Sequence, residues 1–229
     1  MSEWWAEICN DFYKCFIKDD RYKMLLDGIG VTVKISLLAA VLGLVVGLLI
    51  ALCSLSKKKP INLIGKVYTD IIRGTPAVTQ LMIIYFVIFA TVMWPKWIIA
   101  SIAFGLNSGA YVSEIIRAGI LSIDKGQTEA GRSLGLSGAQ TMKLIVIPQA
   151  VKNIFPALCN EFITLIKETA IVGYVGLVDI QKAGDFIKST TYSAFMPLIG
   201  TGIIYFVIIK VLTILLGRYE AHLRKSEQR

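Results

Sequence analysis

The sequence is poor in residues that carry out chemistry. It has one histidine, His222, and four cysteines, at positions 9, 15, 53 and 159. No pair reads Cys-x-x-Cys, and none stands at zinc-like spacing from a histidine, so no metal site is expected. Charge is scarce too. Only 17% of residues are charged while 55% are hydrophobic, where a soluble domain would carry about a quarter charged. The apolar residues gather in runs that are apolar all round, which argues against one large soluble helical core. Runs of that length read as membrane spans. The formal net charge is +8. In a soluble protein that would raise nucleic acid as a partner. Here the basic residues sit at the ends of apolar runs, so they read as topology determinants and no nucleic acid is expected.

Residues 1–27 lack the basic start and apolar centre of a signal peptide and contain Glu3, Glu7, Asp11, Asp19 and Asp20. Trp4, Trp5, Ile8, Phe12 and Phe16 recur at helical spacing, which predicts an amphipathic helix on the membrane surface. Cys9 and Cys15 would pair only if this segment faces outside, and nothing in their spacing demands it.

The chain reads as an all-α integral membrane protein with five transmembrane helices. Spans are expected over 30–55, 77–94, 97–116, 144–175 and 194–216. They define a membrane domain over residues 28–217, followed by a charged tail, 218–229. Gly43 and Gly47 form a small-xxx-small pair that lets another helix approach closely. "INLIGKVYTDIIRGTP" mixes charge with apolar residues and predicts an interfacial or partly inserted helix breaking near Gly74–Pro76. The fourth span is punctuated by Pro148 and Pro156. Residues 176–192 read as a mixed loop.

One set of loops holds Lys57, Lys58, Lys59, Arg117, Lys125, Arg132, Lys143, Arg218, Arg224, Lys225 and Arg229. The opposite set holds Lys96, Lys182 and Lys188. The richer set is placed in the cytoplasm of a bacterial plasma membrane, with the N-terminus outside and the C-terminus inside. Lys14, Lys18, Arg21 and Lys23 on the outer side speak against this order and are outvoted by the three later loops.

The segment 122–143 is polar and glycine-punctuated between two spans. Short helices are expected over 128–134 and 139–144, with Gly135 and Gly138 as the break. No histidine, cysteine or paired carboxylates suit it to catalysis. A surface gripped by another protein and an ordinary amphipathic loop both fit this composition.

At this point the chain resembles the permease subunits of ATP-binding-cassette importers. Their pattern is Glu-Ala-Ala, three residues, Gly, nine residues, Ile, one residue, Leu-Pro. Here it reads Glu129-Ala130-Gly131, Gly135, Ile145 and Ile147-Pro148, with Gly for the third small residue and Ile for Leu. "YTDIIRGTPAVTQLMIIYF", "GAYVSEIIRAGILSIDKGQ" and "NEFITLIKETAIVGYVGLVDI" are similar to the polar amino acid subfamily. The resemblance implies a type I importer permease fold with a cytoplasmic coupling helix. It implies that Glu129, Ala130, Gly131 and Gly135 couple to a cytoplasmic ATPase. It also implies two ATPase subunits, an extracellular or periplasmic binding protein that delivers the amino acid, and a second permease copy or paralogue. ATP and magnesium would bind the partner, leaving no cofactor on this chain.

Charges inside a span usually face a cavity or a partner. Glu161 lies about 20 Å along the helix from Pro148. With Thr75, Asn160 and Thr164 it is a candidate for lining a substrate pathway, where a carboxylate suits an α-ammonium group. The alternative is a structural partner for Arg73 or Lys167. Thr75 likewise lines the passage or belongs to a structural kink. Glu114 and Arg117 are three apart and predict a local ion pair. Two other functions compete with the importer subunit: an autonomous channel or secondary transporter, and an integral-membrane lipid-modifying enzyme.

Overall fold

A computed structural model describes residues 2–225, and every regular element among them is helical. The α-helices are α1 (Ser2–Phe12), α2 (Tyr22–Ser54), α3 (Lys59–Arg73), α4 (Ala77–Ile83), α5 (Lys96–Leu121), α6 (Lys125–Ser133), α7 (Gly138–Thr141), α8 (Ile147–Glu168), α9 (Ile180–Thr191) and α10 (Phe195–Lys225). Four helical runs are long and apolar enough to cross a membrane: α2, α5, the run Gly138–Val175 and α10. The expected second span differs. α4 and its π-helical extension end at Ile88. Twelve helical residues reach about 18 Å, short of a hydrocarbon core of about 30 Å. Only α3 and α4 together, across the break at Gly74–Pro76, make a fifth candidate crossing. α2 begins at Tyr22, eight residues before the expected span, and α10 stays helical to Lys225. The last four residues of the expected tail lie outside the described residues.

Pro148 cannot donate to the carbonyl of Leu144. A π-helical turn over Met142–Val146 absorbs that missing bond and keeps the run continuous. Pro156 sits inside α8 without ending it.

The chain packs as two units: Met1–Ala39, Ala77–Phe104 and Leu165–Leu212 form one, and Ala40–Pro76, Gly105–Thr164 and Thr213–Arg229 the other. In the first, Cys15, Phe16, Leu25, Ala183 and Ile187 share an apolar cluster. Trp4, Trp5 and Phe12 stay exposed, whereas Phe16 docks into this core. The four cysteines are free thiols, and Cys15 is buried with its Sγ donating to Thr191 Oγ1 at 3.7 Å. The expected loop 176–192 is mostly α9. Its charged Lys182, Asp185 and Lys188 mask a helical repeat of buried Ile180, Ala183, Gly184, Ile187 and Thr191. Asp179 caps α9, accepting from the backbone N–H groups of Lys182 (3.0 Å) and Gln181 (3.2 Å) and from the Tyr205 hydroxyl (3.0 Å). It is fully buried. Burial pushes its carboxyl above the ordinary carboxylate range, and those three donors pull it back down.

In the second unit α2 meets α5 through glycine. A Cβ on Gly47 would strike the Val112 side chain and stand 3.0 Å from the Gly109 carbonyl oxygen. Ala51, Val112, Ile116, Ala150 and Ile154 continue this contact toward α8. Gly47→Ala is expected to cost about 1–3 kcal/mol by overpacking. Thermal unfolding of the purified protein checks it, and Val112→Ala in the same chain should recover most of the loss.

Candidate functional site

The polar segment between α5 and α8 folds as a compact hairpin of helices. Asp124 caps α6 by accepting from the Gly126 N–H at 2.6 Å. α6 ends in a Schellman motif: the Leu136 N–H reaches the Gly131 carbonyl at 3.1 Å and the Gly135 N–H reaches the Arg132 carbonyl at 3.0 Å. That motif needs a left-handed residue, and Gly135 supplies it at φ +85°. Ser137 then opens α7 with a capping box to Gln140, whose side chain accepts from the Ser137 N–H at 2.8 Å. The break therefore runs over Leu134–Ser137. Gly138, expected within it, is the first residue of α7. Gln149 and Asn153 of α8 donate to Gln127 (3.3 Å) and Ser122 (3.0 Å), which ties the hairpin to the following span.

The four residues assigned to coupling do not share one environment. Glu129, Ala130 and Gly135 are exposed. Gly131 is buried, and a Cβ there would lie 2.8 Å from Thr141 Cγ2 and 2.9 Å from Ile145 Cδ1. It is small so that α6 can rest on the chain's own next turn. Its surface is closed by this chain. Leu134, which the sequence reading passed over, is 82% exposed at the tip. The signal was a leucine beside the glycine break of a polar segment.

Glu161 of α8 accepts from Ser108 Oγ of α5 at 2.7 Å. The suggested partner Arg73 instead stacks its guanidinium over Tyr111, 5.4 Å from the ring centre. Asn160 and Thr164 are exposed on α8 while Glu161 is half-buried. Thr75 is exposed, and its hydroxyl donates to the Ile71 carbonyl at 2.9 Å, satisfying backbone freed where α3 ends. Glu114 and Arg117 form the expected pair, with a fork of 2.7 and 3.1 Å. The sequence reading also missed a polar stripe on α3. Asn62, Lys66, Asp70 and Arg73 follow one another at helical spacing and line a cavity of about 470 Å³ with Ser54, Thr69, Glu114 and Arg117.

Residues 43–225 match the family model described as the binding-protein-dependent transport system inner membrane component. The chain belongs to this family. It is a multi-pass transport component of the inner membrane, and the family is one of permease subunits, not enzymes. The chain is 43% identical over 205 residues to the arginine transport system permease protein ArtQ of Bacillus subtilis, covering 89% of this chain and 94% of the relative. It is 33% identical over 204 residues to the glutamine transport system permease protein GlnP of Escherichia coli, covering 88% and 93%. A crystal structure of an amino acid ABC transporter with histidines superposes with a TM-score of 0.83 at 42% identity. It covers 90% of this chain and 98% of that one. The permease fold expected from the loop pattern is thus the one observed.

Burial separates packing from surface in the hairpin. Gly131→Leu should open the hairpin and raise its protease sensitivity, whereas Ala130→Leu should leave cleavage at the wild-type rate. Limited proteolysis of the purified permease reads both.

Proposed function

We propose that this permease is the membrane-spanning subunit of an ATP-driven importer of polar amino acids. Two copies, or one copy and a close paralogue, enclose the pathway around an approximate two-fold axis. Two ATPase subunits dock on the cytoplasmic side and hold the ATP and magnesium. An extracellular or periplasmic binding protein delivers the amino acid on the other side. The N-terminus lies outside and the C-terminus inside, as the lysine and arginine counts favour.

The observation that carries this reading is the α6–α7 hairpin. It presents Glu129, Ala130, Leu134 and Gly135 outward. Its caps satisfy its own backbone, and its bonds to α8 make it stiff. A stiff element joined to a span transmits displacement as a lever. Gly131 serves by keeping the lever compact. Glu161 supplies a carboxylate for the substrate's α-ammonium, held in place by the Ser108 hydroxyl. Asn160, Thr164 and Thr75 add hydrogen-bonding groups to the pathway. The named substrates of the two relatives, arginine and glutamine, share that α-ammonium group.

The test is uptake by proteoliposomes holding the permease, its ATPase and its binding protein. Gly135→Trp should assemble normally yet lose substrate-stimulated ATP hydrolysis. Gly135→Ala has the same unfavourable φ without the bulk and should stay coupled. Hydrolysis at the wild-type level in the tryptophan variant sinks the docking role. Glu161→Gln should abolish uptake while the complex still forms, and loss of the folded complex instead would make Glu161 structural.

A further inference from the structure

The last turns of α2, the end of α5 and the first turns of α8 leave a groove between them, a cavity of about 260 Å³. α2 contributes Leu48, Leu52 and Leu55, α5 Ile120, and α8 Ile147 and Val151, and every lining residue is apolar. Its floor is the buried cluster that joins the three helices. Its rim is open, since Leu48, Leu52, Ile147 and Val151 are exposed. Val41, Val45, Leu48 and Leu52 follow one another at helical spacing and are all exposed, so the rim belongs to the face that α2 turns to the bilayer. Water finds no hydrogen-bonding partner in such a space, and an empty groove forfeits the dispersion contacts of its walls. Hydrocarbon must fill it. The groove runs about 10 Å along α2 and about 16 Å along α8, roughly the depth of one leaflet.

One end of the groove is basic. Lys57, Lys58 and Lys59 follow directly on Leu55 and Ser56, and all three are exposed. Lys143 stands one helical turn before Ile147 and is exposed too. Among the described residues, none of these four lysines forms an ion pair. Topology accounts for lysines at the ends of spans. It does not account for an apolar groove that ends on them. We propose that the groove binds one anionic phospholipid per permease copy, with an acyl chain along Leu48, Leu52, Ile147 and Val151 and the phosphate on Lys57, Lys58, Lys59 and Lys143. A basic rim on a pocket between spans is the arrangement that holds such head groups. A second copy docked groove to groove would set these lysines against their own counterparts, so charge favours the lipid. Such a site depends on the bilayer alone and stands whatever solute the permease carries.

The test reconstitutes the purified permease complex in vesicles of phosphatidylglycerol and phosphatidylethanolamine, in equal parts and with matched acyl chains. The complex is then extracted in mild detergent, and retained lipids are counted by native mass spectrometry. One phosphatidylglycerol per permease copy is expected, with phosphatidylethanolamine failing to compete. Lys57→Gln and Lys58→Gln should each weaken its retention about fivefold, the effect of one basic residue on an anionic head group. Val151→Trp and Leu52→Trp fill the groove from its open rim with every lysine in place, and each should expel the lipid. Leu37→Trp, on the exposed face of α2 outside the groove, should leave it bound. Equal retention of the two phospholipids overturns the proposal, as does phosphatidylglycerol held by both groove-filling variants as well as by the wild type. A disulfide between two copies carrying Val151→Cys would show that a second copy covers the groove, and overturns it too.

Discussion

A chain in lipid has no water to satisfy its polar groups, so every backbone donor must find a partner within the protein, and a charge within a span faces a cavity or a partner. Much of this permease is arranged around that constraint. Its described elements are helices because a helix satisfies its own backbone. The defects are repaired locally: the π-helical turn before Pro148, and the Thr75 hydroxyl on the Ile71 carbonyl where α3 stops. Charged side chains follow the same rule. Glu161 takes the Ser108 hydroxyl, Glu114 takes Arg117, and Arg73 stacks on the Tyr111 ring.

The α6–α7 hairpin obeys the opposite solvent. Its surface is polar and exposed, and its ends are closed by a Schellman motif and a capping box rather than by burial. Close packing makes it stiff, since Gly131 lets α6 settle on Thr141 and Ile145. Stiffness and exposure together suit an element that another protein holds and moves. The same use of small residues lets α2 and α5 approach at Gly47. In both places glycine serves contact between helices rather than flexibility.

Much of this was legible beforehand. Long apolar runs announced the spans, and the spacing from Glu129 to Pro148 announced the hairpin and the family. α9 was less legible, since three charged residues hid its apolar repeat, although Asp179 followed by Ile180, Ala183 and Ile187 carries a helix signature. The short α4 was missed because composition counts apolar residues without showing where the helix stops.

The sequence by itself determined the all-helical membrane class, the family and the polar hairpin, because these depend on hydropathy and spacing along the chain. Only the tertiary structure decided which residues of the hairpin face outward, which hydroxyl holds Glu161, and that Arg73 stacks on Tyr111. Those facts depend on residues dozens of positions apart meeting in space. A one-dimensional pattern records a side chain's chemistry and its place on a helix, not the neighbour that folding brings against it.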